Sequence, residues 1–185
     1  MNNHLNEGYF PEEYNERFQN EFSKLKGGKK WEDLILFLEN LSISYPKEYF
    51  LFTELSSAYY VLENKDKCIE NALKAYQIEP RDPLVIYNYA MALSLNAEYK
   101  QSLDLFYRIY KSSMKHLAFG TYGEGLKWAK SLKNDTRYMI GVTYLEMKNR
   151  EKAKFYIKQH LINRKRGIYS DFTKNQVIKK LRLIS

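Results

Sequence analysis

One cysteine and three histidines could serve as a nucleophile or as metal ligands: Cys68, His4, His116 and His160. The histidines lie far apart and lack the spacing of metal-ligand motifs, while Cys68 takes a position where a small residue packs between helices, as an inert core thiol does. Glu124 lies near His116 in the chain, but a single such neighbour is common by chance. The sequence contains neither a glycine-rich phosphate loop nor a nucleophile elbow. We therefore predict a protein without catalytic residues, metal or cofactor.

A group of polar and aromatic residues lies among and after three closely spaced glycines, at positions 120, 123 and 125. A glycine-rich approach to a helix that carries a tryptophan and mixed charges could form a pocket or a contact loop. In the alternative, which we favour for the tryptophan, Trp128 and Leu132 fill a gap between packed helices. The candidate residues of this site are Glu124, Trp128, Asp135 and Arg137.

Positive charge is concentrated at one end of the chain. The net charge is +8, but residues 115–185 carry 17 basic and 5 acidic residues, which is a local excess of +12. Such asymmetry indicates either a solvated face or a docking surface for an acidic partner. The chain has no recognised nucleic-acid motif, so binding to phosphate is a less favoured alternative. The candidate docking residues are Lys154, Lys158, Arg164, Lys165 and Arg166.

The elements that must position these residues come from an internal repeat. Phe18, Phe52 and Ile86 are separated by 34 residues each, and the same separation relates Pro46 to Pro80. Apolar residues within each unit recur at helical spacing. Pairs of small residues at a second constant spacing would let two antiparallel helices approach closely, and these pairs are Ser56–Cys68, Ala90–Ser102 and Gly141–Ala153.

This separation gives a period of about 34 residues with two helices per unit, which resembles the tetratricopeptide repeat family. The resemblance covers about residues 15–165 and implies an all-α, right-handed superhelical stack of helix pairs in one domain, 1–185. The units are expected at 15–46, 49–80, 83–114 and 134–165. In the first unit, Phe22 and Leu34 take the places of the small pair, so those helices could be splayed.

The fourth unit begins about half a period late. We therefore predict an inserted helix within 117–133 and a capping helix at 171–184, started by Ser170 or Thr173. Helix ends are expected at Gly27-Gly28 and Gly167, and Asp82-Pro83 should begin a helix.

The family resemblance implies that the first helix of each pair lines a concave face that binds a protein or peptide. Helical spacing assigns nine aromatic, apolar and weakly polar residues to this face. Chaperone tails are not expected there, because Thr53, Ser57 and Leu84 stand where cations would be needed to bind a carboxylate. The alternative is that individual members of the set are core residues between repeats. The set is Phe50, Thr53, Ser57, Tyr60, Leu84, Tyr87, Asn88, Met91 and Tyr138.

The remaining expectations concern location and partners. A lone cysteine fits a reducing compartment, and the polar, acidic start of the chain shows no secretion signal, so we expect a cytoplasmic protein that binds neither membrane nor cofactor. A homodimer through the last helix stays open. The tracts EGLKWAKSLKNDTRY and HLINRKRGIYS resemble small bacterial repeat proteins encoded beside secreted toxins. That resemblance implies an immunity or adaptor role.

Overall fold

The computed structural model describes residues 15–184, and these residues form ten α-helices and no strand. The N-terminal segment without a secretion signal, and His4 within it, lie outside the described residues. The all-α, tetratricopeptide-like fold predicted from the repeat is confirmed. The helices are α1 (Asn15–Gly27), α2 (Trp31–Ser44), α3 (Tyr49–Val61), α4 (Lys65–Ile78), α5 (Pro83–Leu95), α6 (Tyr99–Lys111), α7 (Met114–Phe119), α8 (Leu126–Glu146), α9 (Arg150–Lys165) and α10 (Lys174–Arg182).

The chain divides into two compact units, one ending at Pro80 and the other beginning at Arg81. In the described part of the first unit, α1 packs on α2, α2 on α3, and α3 on α4. The second unit contains α5 to α10, in which α5 pairs with α6 and α8 pairs with α9, while α10 packs on α9. No helix among residues 15–184 is both long and apolar enough to cross a lipid bilayer.

The first helix of each pair ends in the same way. Lys29, Glu63, Ala97 and Lys148 follow these helices and have positive φ angles of 54°, 58°, 62° and 60°. At each end, the amide of the following residue donates back to a carbonyl near the end of the helix, for example from Glu98 to Leu93 at 2.9 Å. This is the hydrogen bond of a Schellman motif, in which glycine is the usual left-handed residue. The first three ends recur with the period of the sequence and the fourth comes half a period late, although the left-handed residue is not a glycine at any of the four.

The helix end predicted at Gly27-Gly28 is confirmed. The first helix does end at Gly27, but the left-handed residue is Lys29. At Asp82, the prediction is confirmed: its carboxylate accepts from the amides of Leu84 and Val85, and Pro83 begins α5.

Small residues lie where paired helices cross. The Ser102 hydroxyl donates to the Ala90 carbonyl at 2.7 Å, and the Ser56 oxygen lies 3.5 Å from the Cys68 sulfur. A methyl group on Gly141 would lie 2.7 Å from Cγ1 of Ile157, which is fully buried. The three predicted small pairs therefore hold α3 to α4, α5 to α6 and α8 to α9.

The first unit uses phenylalanine instead. The Phe22 ring lies 5.4 Å from that of Phe18 and 5.5 Å from that of Phe50, and Phe18 also contacts Phe37. These rings join α1, α2 and α3, so large aromatic side chains fill the position that small residues occupy in the other pairs.

The segment 117–133 is divided differently from the prediction of a separate inserted helix. Its first residues belong to α7, and its last residues are the first two turns of α8, which has 21 residues. Gly125, with φ of 90°, precedes α8. The extra residues therefore lengthen the first helix of the last pair, and α8 continues without a break through position 134.

The last helix is shorter than the predicted 171–184. α10 spans nine residues and begins at a capping box, in which Thr173 and Gln176 each accept from the other's backbone amide. Of the two predicted caps, Thr173 is therefore the one used. Val177 is fully buried and anchors α10 to the second unit.

Candidate functional site: a basic groove between α9 and α10

An open groove of about 610 Å³ runs between α9 and α10. Its aliphatic lining comes from Leu161, Ile162 and Ile178. Leu161 and Ile178 are half-buried, while Ile162 is 40% exposed. The floor therefore presents apolar surface to solvent in a strongly charged part of the molecule.

The rim of the groove is cationic. Lys158 and Lys165 of α9 and Lys174 of α10 line it, and all three are exposed. Within residues 15–184, none of them lies within ion-pair distance of a carboxylate. By contrast, Lys180 on α10 lies 3.6 Å from Glu146. The rim lysines thus keep their charge uncompensated by the described part of the chain.

Three of the five predicted docking residues line this groove, namely Lys158, Arg164 and Lys165. Lys154 lies one turn before Lys158 on the same stripe of α9, because residues 154, 158 and 165 fall within a narrow arc of the helix. Arg166 is the C-cap residue of α9 and is exposed. The structure therefore brings four of the predicted cations to one face and places Arg166 beside it.

Arg164 has a structural task as well as a charge. Its guanidinium donates to the carbonyls of Ser170 at 3.2 Å and Phe172 at 2.5 Å, so it ties the segment before α10 to α9. The amide of Asp171 donates to the Asp135 carboxylate at 3.1 Å, which ties the same segment to α8. The segment that leads into α10, which forms the second wall of the groove, is therefore held by both α9 and α8.

A buried polar cluster lies beneath this segment. His160 is fully buried, and its Nδ1 lies 2.9 Å from the Asn134 carbonyl, which can only accept. The neutral ring therefore carries its proton on Nδ1, and Nε2, 3.5 Å from the Ser170 hydroxyl, is left as an acceptor. Asp135 Oδ1 is buried without a hydrogen-bond partner and lies 4.0 Å from Nδ1 of His160.

Burial sets the protonation of both groups. It raises the pKa of Asp135 to about 6, against the Ser170 hydroxyl, the Asp171 amide and the Arg164 charge, which lower it. Burial also lowers the pKa of His160 below its ordinary value, and Arg164 and Arg137 lower it further. The His160, Asp135 and Ser170 side chains resemble the parts of a hydrolytic triad, but all three are buried. They hold the segment in place and offer no exposed nucleophile.

The four predicted insert residues lie on different faces. Asp135 is in the buried cluster, whereas Arg137, two positions later on α8, lies with its guanidinium carbon 5.2 Å from the centre of the Tyr110 ring. Trp128 is half-buried in the first turn of α8, and Glu124 is exposed in the preceding loop. A separation of two positions turns a helix by about 200°, so Asp135 and Arg137 cannot face one ligand together.

The nine predicted groove residues are divided between the units. Phe50, Thr53, Ser57 and Tyr60 lie on α3 in the first unit, and the others lie on α5 or α8 in the second. Phe50 joins the phenylalanine cluster described above. The hydroxyls of Thr53 and Ser57 donate to carbonyls of their own helix, at 2.9 and 3.1 Å.

In the second unit, three of the predicted groove residues are buried. The Tyr87 ring lies 5.8 Å from that of Phe106, Met91 is buried, and Tyr138 lies between the rings of His160 and Phe172. Leu84 and Asn88 are half-buried. Binding by this set stays a prediction.

Sequence reasoning did not place His160 and Ser170 in a buried cluster. His160 shares a face of α9 with the buried Ala153 and Ile157, at the spacing i, i+4 and i+7, and this pattern could have identified it as a core histidine. Ser170 gave no comparable signal, because it lies outside the helices and its contact with His160 comes from α9. Among the described residues, no group of three or more His, Cys, Asp or Glu side chains is arranged to hold a metal ion.

The helix pairs, their repeated ends and the groove define a tetratricopeptide-like helical protein with a basic surface. No family model matches the sequence, and no curated protein matches it. Among solved structures, the fold is similar to that of PilW, a widely conserved type IV pilus biogenesis factor, with a TM-score of 0.58 and 20% sequence identity. The match covers 84% of this chain and 64% of PilW. At this level of identity, the similarity shows the fold alone.

Proposed function

We propose that this chain is a non-catalytic scaffold that binds an acidic protein partner through the surface formed by α9 and α10. The observation that carries this proposal is the stripe of Lys154, Lys158 and Lys165 on α9. These side chains are exposed and have no carboxylate partner among residues 15–184. Residues 148–182 contain twelve basic and two acidic residues, a net charge of +10. A field of one sign speeds association with a partner of the opposite sign.

The predicted concave face is a second surface in this proposal. Within the second unit, its half-buried members, such as Leu84 on α5, would add apolar contacts for a peptide. We also propose a reducing compartment, because a chain with a single cysteine, Cys68, cannot form an intrachain disulfide.

The test is an affinity purification of partners from the native cell, with wild-type protein and a charge-reversed variant in parallel. The variant carries Lys154→Glu, Lys158→Glu and Lys165→Glu. A matched control carries Lys47→Glu, Lys65→Glu and Lys100→Glu, which are exposed elsewhere and give the same net charge. We expect the control to keep the partners of the wild type and the α9 variant to lose them, and the lost partners, once purified, should bind more weakly as salt rises.

Nucleic-acid binding is the second candidate function. It is favoured by two exposed rings near the cations, Phe155 at 55% and Tyr169 at 61% exposure, since bases stack on such rings. A single-stranded RNA oligonucleotide would then bind with a steep dependence on salt, and Phe155→Ala would weaken it. If RNA binds tightly and no acidic protein is recovered, the scaffold proposal fails.

A further inference from the structure

We propose that the groove between α9 and α10 binds an acidic amphipathic helix of the partner, with its aliphatic side chains on Ile162 and Ile178 and its carboxylates at the lysine rim. This inference deepens the proposed scaffold function and rests on it. It specifies the secondary structure and the chemistry of the partner segment that the basic surface binds.

The lining of the groove has the spacing of a helix-binding surface. On α9, Lys158, Leu161, Ile162 and Lys165 follow the pattern i, i+3, i+4 and i+7, so two aliphatic residues are bracketed by two cations. Residues 158 and 165 are about 10 Å apart along the helix axis, because each residue rises about 1.5 Å. Two turns of a partner helix span the same length, so its apolar residues at i, i+3 or i+4, and i+7 would meet this floor.

The cations are distributed along the groove. Lys158 and Lys165 lie at two levels of α9, and Lys174 lies on the other helix. A single carboxylate or phosphate would require them to converge, whereas a helix with carboxylates beside its apolar stripe can meet each one separately. Ion pairs at the rim of an apolar contact contribute mainly to orientation and association rate.

The groove is formed before any partner arrives. Arg164 and Asp135 hold the segment ahead of α10 by its backbone, the capping box starts α10, and Val177 buries its inner face. A preformed surface avoids the entropy cost of ordering a loop on binding. An amphipathic helix can therefore dock without rearrangement of the walls.

Two other occupants fit the observations less well. A second copy of this chain would place a region of net charge +10 against the same region, and residues 148–182 contain only Glu151 and Asp171 to oppose it. RNA would find a floor of Leu161, Ile162 and Ile178, which provides no aromatic ring for stacking. An acidic amphipathic helix brings apolar side chains to the floor and carboxylates to the lysine rim.

The experiment uses the full chain and three synthetic fluorescent peptides of about 14 residues, long enough for the first to carry leucines at i, i+3, i+4 and i+7 among glutamates and alanines. The second has the same composition with the leucines spread around the helix, and the third replaces the glutamates by lysines. We expect the first peptide to bind at least about tenfold more tightly than the second, a difference of about 1.4 kcal/mol, and the third not to bind.

Variants then locate the site. We expect binding of the first peptide to weaken with Ile162→Ser and, separately, with Lys158→Gln combined with Lys174→Gln. The matched control is Ile43→Ser, since Ile43 is 80% exposed and lies in the first unit. If Ile162→Ser is less stable than the wild type, the methyl NMR signals of Ile162 and Ile178 in the wild type show instead whether the peptide binds at the floor. These signals should shift on addition of the first peptide.

The outcomes separate this inference from the proposed function. If both acidic peptides bind equally and Ile162→Ser has no effect, the helix groove is refuted, while a purely electrostatic docking surface survives. If no acidic peptide binds but a partner captured from the cell still depends on Lys154 and Lys158, the groove also fails and the scaffold stands. If an RNA oligonucleotide of similar length binds more tightly than any peptide, both are overturned.

Discussion

Replacement of Asp135 by asparagine tests the account of the buried cluster. Asp135 is 4% exposed, one of its oxygens has no hydrogen-bond partner, and the other accepts from the Asp171 amide. The asparagine side chain would keep one acceptor oxygen for that amide and would remove the charge. We expect Asp135→Asn to stabilise the second unit at neutral pH and to have little effect in acid.

The size of the effect follows from the pKa of Asp135, which is about 6 in the folded protein against an ordinary value of 3.8. A raised pKa means that the folded state holds this proton more tightly than the unfolded state does. The stability from the protonated form is therefore complete below pH 3.8 and is lost as pH rises through 6. Each pH unit between the two values corresponds to about 1.4 kcal/mol, so the ionised carboxylate should reduce the free energy of unfolding by about 3 kcal/mol above pH 7.

The measurement is the free energy of unfolding in urea between pH 4 and pH 8. Trp31 lies in the first unit and Trp128 in the second, so both proteins are prepared with Trp31→Phe, which leaves Trp128 fluorescence to report the second unit alone. The lowered pKa of His160 makes the folded state less stable as pH falls below 6.5. Both proteins contain His160, so only the part of this contribution that depends on the Asp135 charge, 4.0 Å away, enters the difference.

The decisive quantity is the difference in the free energy of unfolding between Asp135→Asn and its parent, measured as a function of pH. We expect the advantage of Asp135→Asn to grow by about 2–3 kcal/mol from pH 4 to pH 7.5. A constant difference would show that the carboxyl pKa is not raised by burial. An advantage that shrinks with pH would show that attraction between the Asp135 carboxylate and the Arg164 charge outweighs burial.

Three further substitutions test the packing by urea unfolding. Ala97→Gly should stabilise by about 0.5–1 kcal/mol, because Ala97 has a left-handed backbone with φ of 62°; destabilisation, as at an ordinary helical position, would contradict this. Gly141→Ala should destabilise by about 1–3 kcal/mol, because the new methyl group would meet Ile157 at 2.7 Å; a neutral result would show that α8 and α9 can separate. Tyr107→Phe should cost about 1–2 kcal/mol and more than Tyr144→Phe, because the Tyr107 hydroxyl has two tyrosine partners, at 2.9 and 3.2 Å; equal costs would contradict that network.

The helical framework could be predicted because its signals are local. The small pairs and the Asp82 cap depend on residues within one helix pair, the repeat period copies such local patterns along the chain, and the structure contains all three. The inserted segment could not be predicted in the same way. Whether 126–133 forms its own helix or extends the next one depends on Asn134 and Asp135, whose polar side chains resemble a turn in the sequence but are buried here. The Asn134 side chain accepts from Asn163 on α9, and the Asp135 side chain accepts from the amide of Asp171 in the segment that follows α9.

The candidate site was predicted in part. A count of charges is enough to find Lys158, Arg164 and Lys165, but it does not show that they border an aliphatic floor. The floor exists only because α10 returns to lie beside α9, and this return depends on the bonds from Arg164 to the backbone of the preceding segment.

The sequence by itself determined the paired helices outside the inserted segment and the period of their ends, because backbone hydrogen bonds and close helix crossings are set by residues near one another in the chain. The tertiary structure alone decided which polar residues are buried, which aromatic rings are enclosed and where apolar surface meets unpaired charge. His160 and Asp135 lie on different helices, as do Ile162 and Ile178. Contacts between such residues depend on how the helices pack, and the pattern within any one helix cannot specify them.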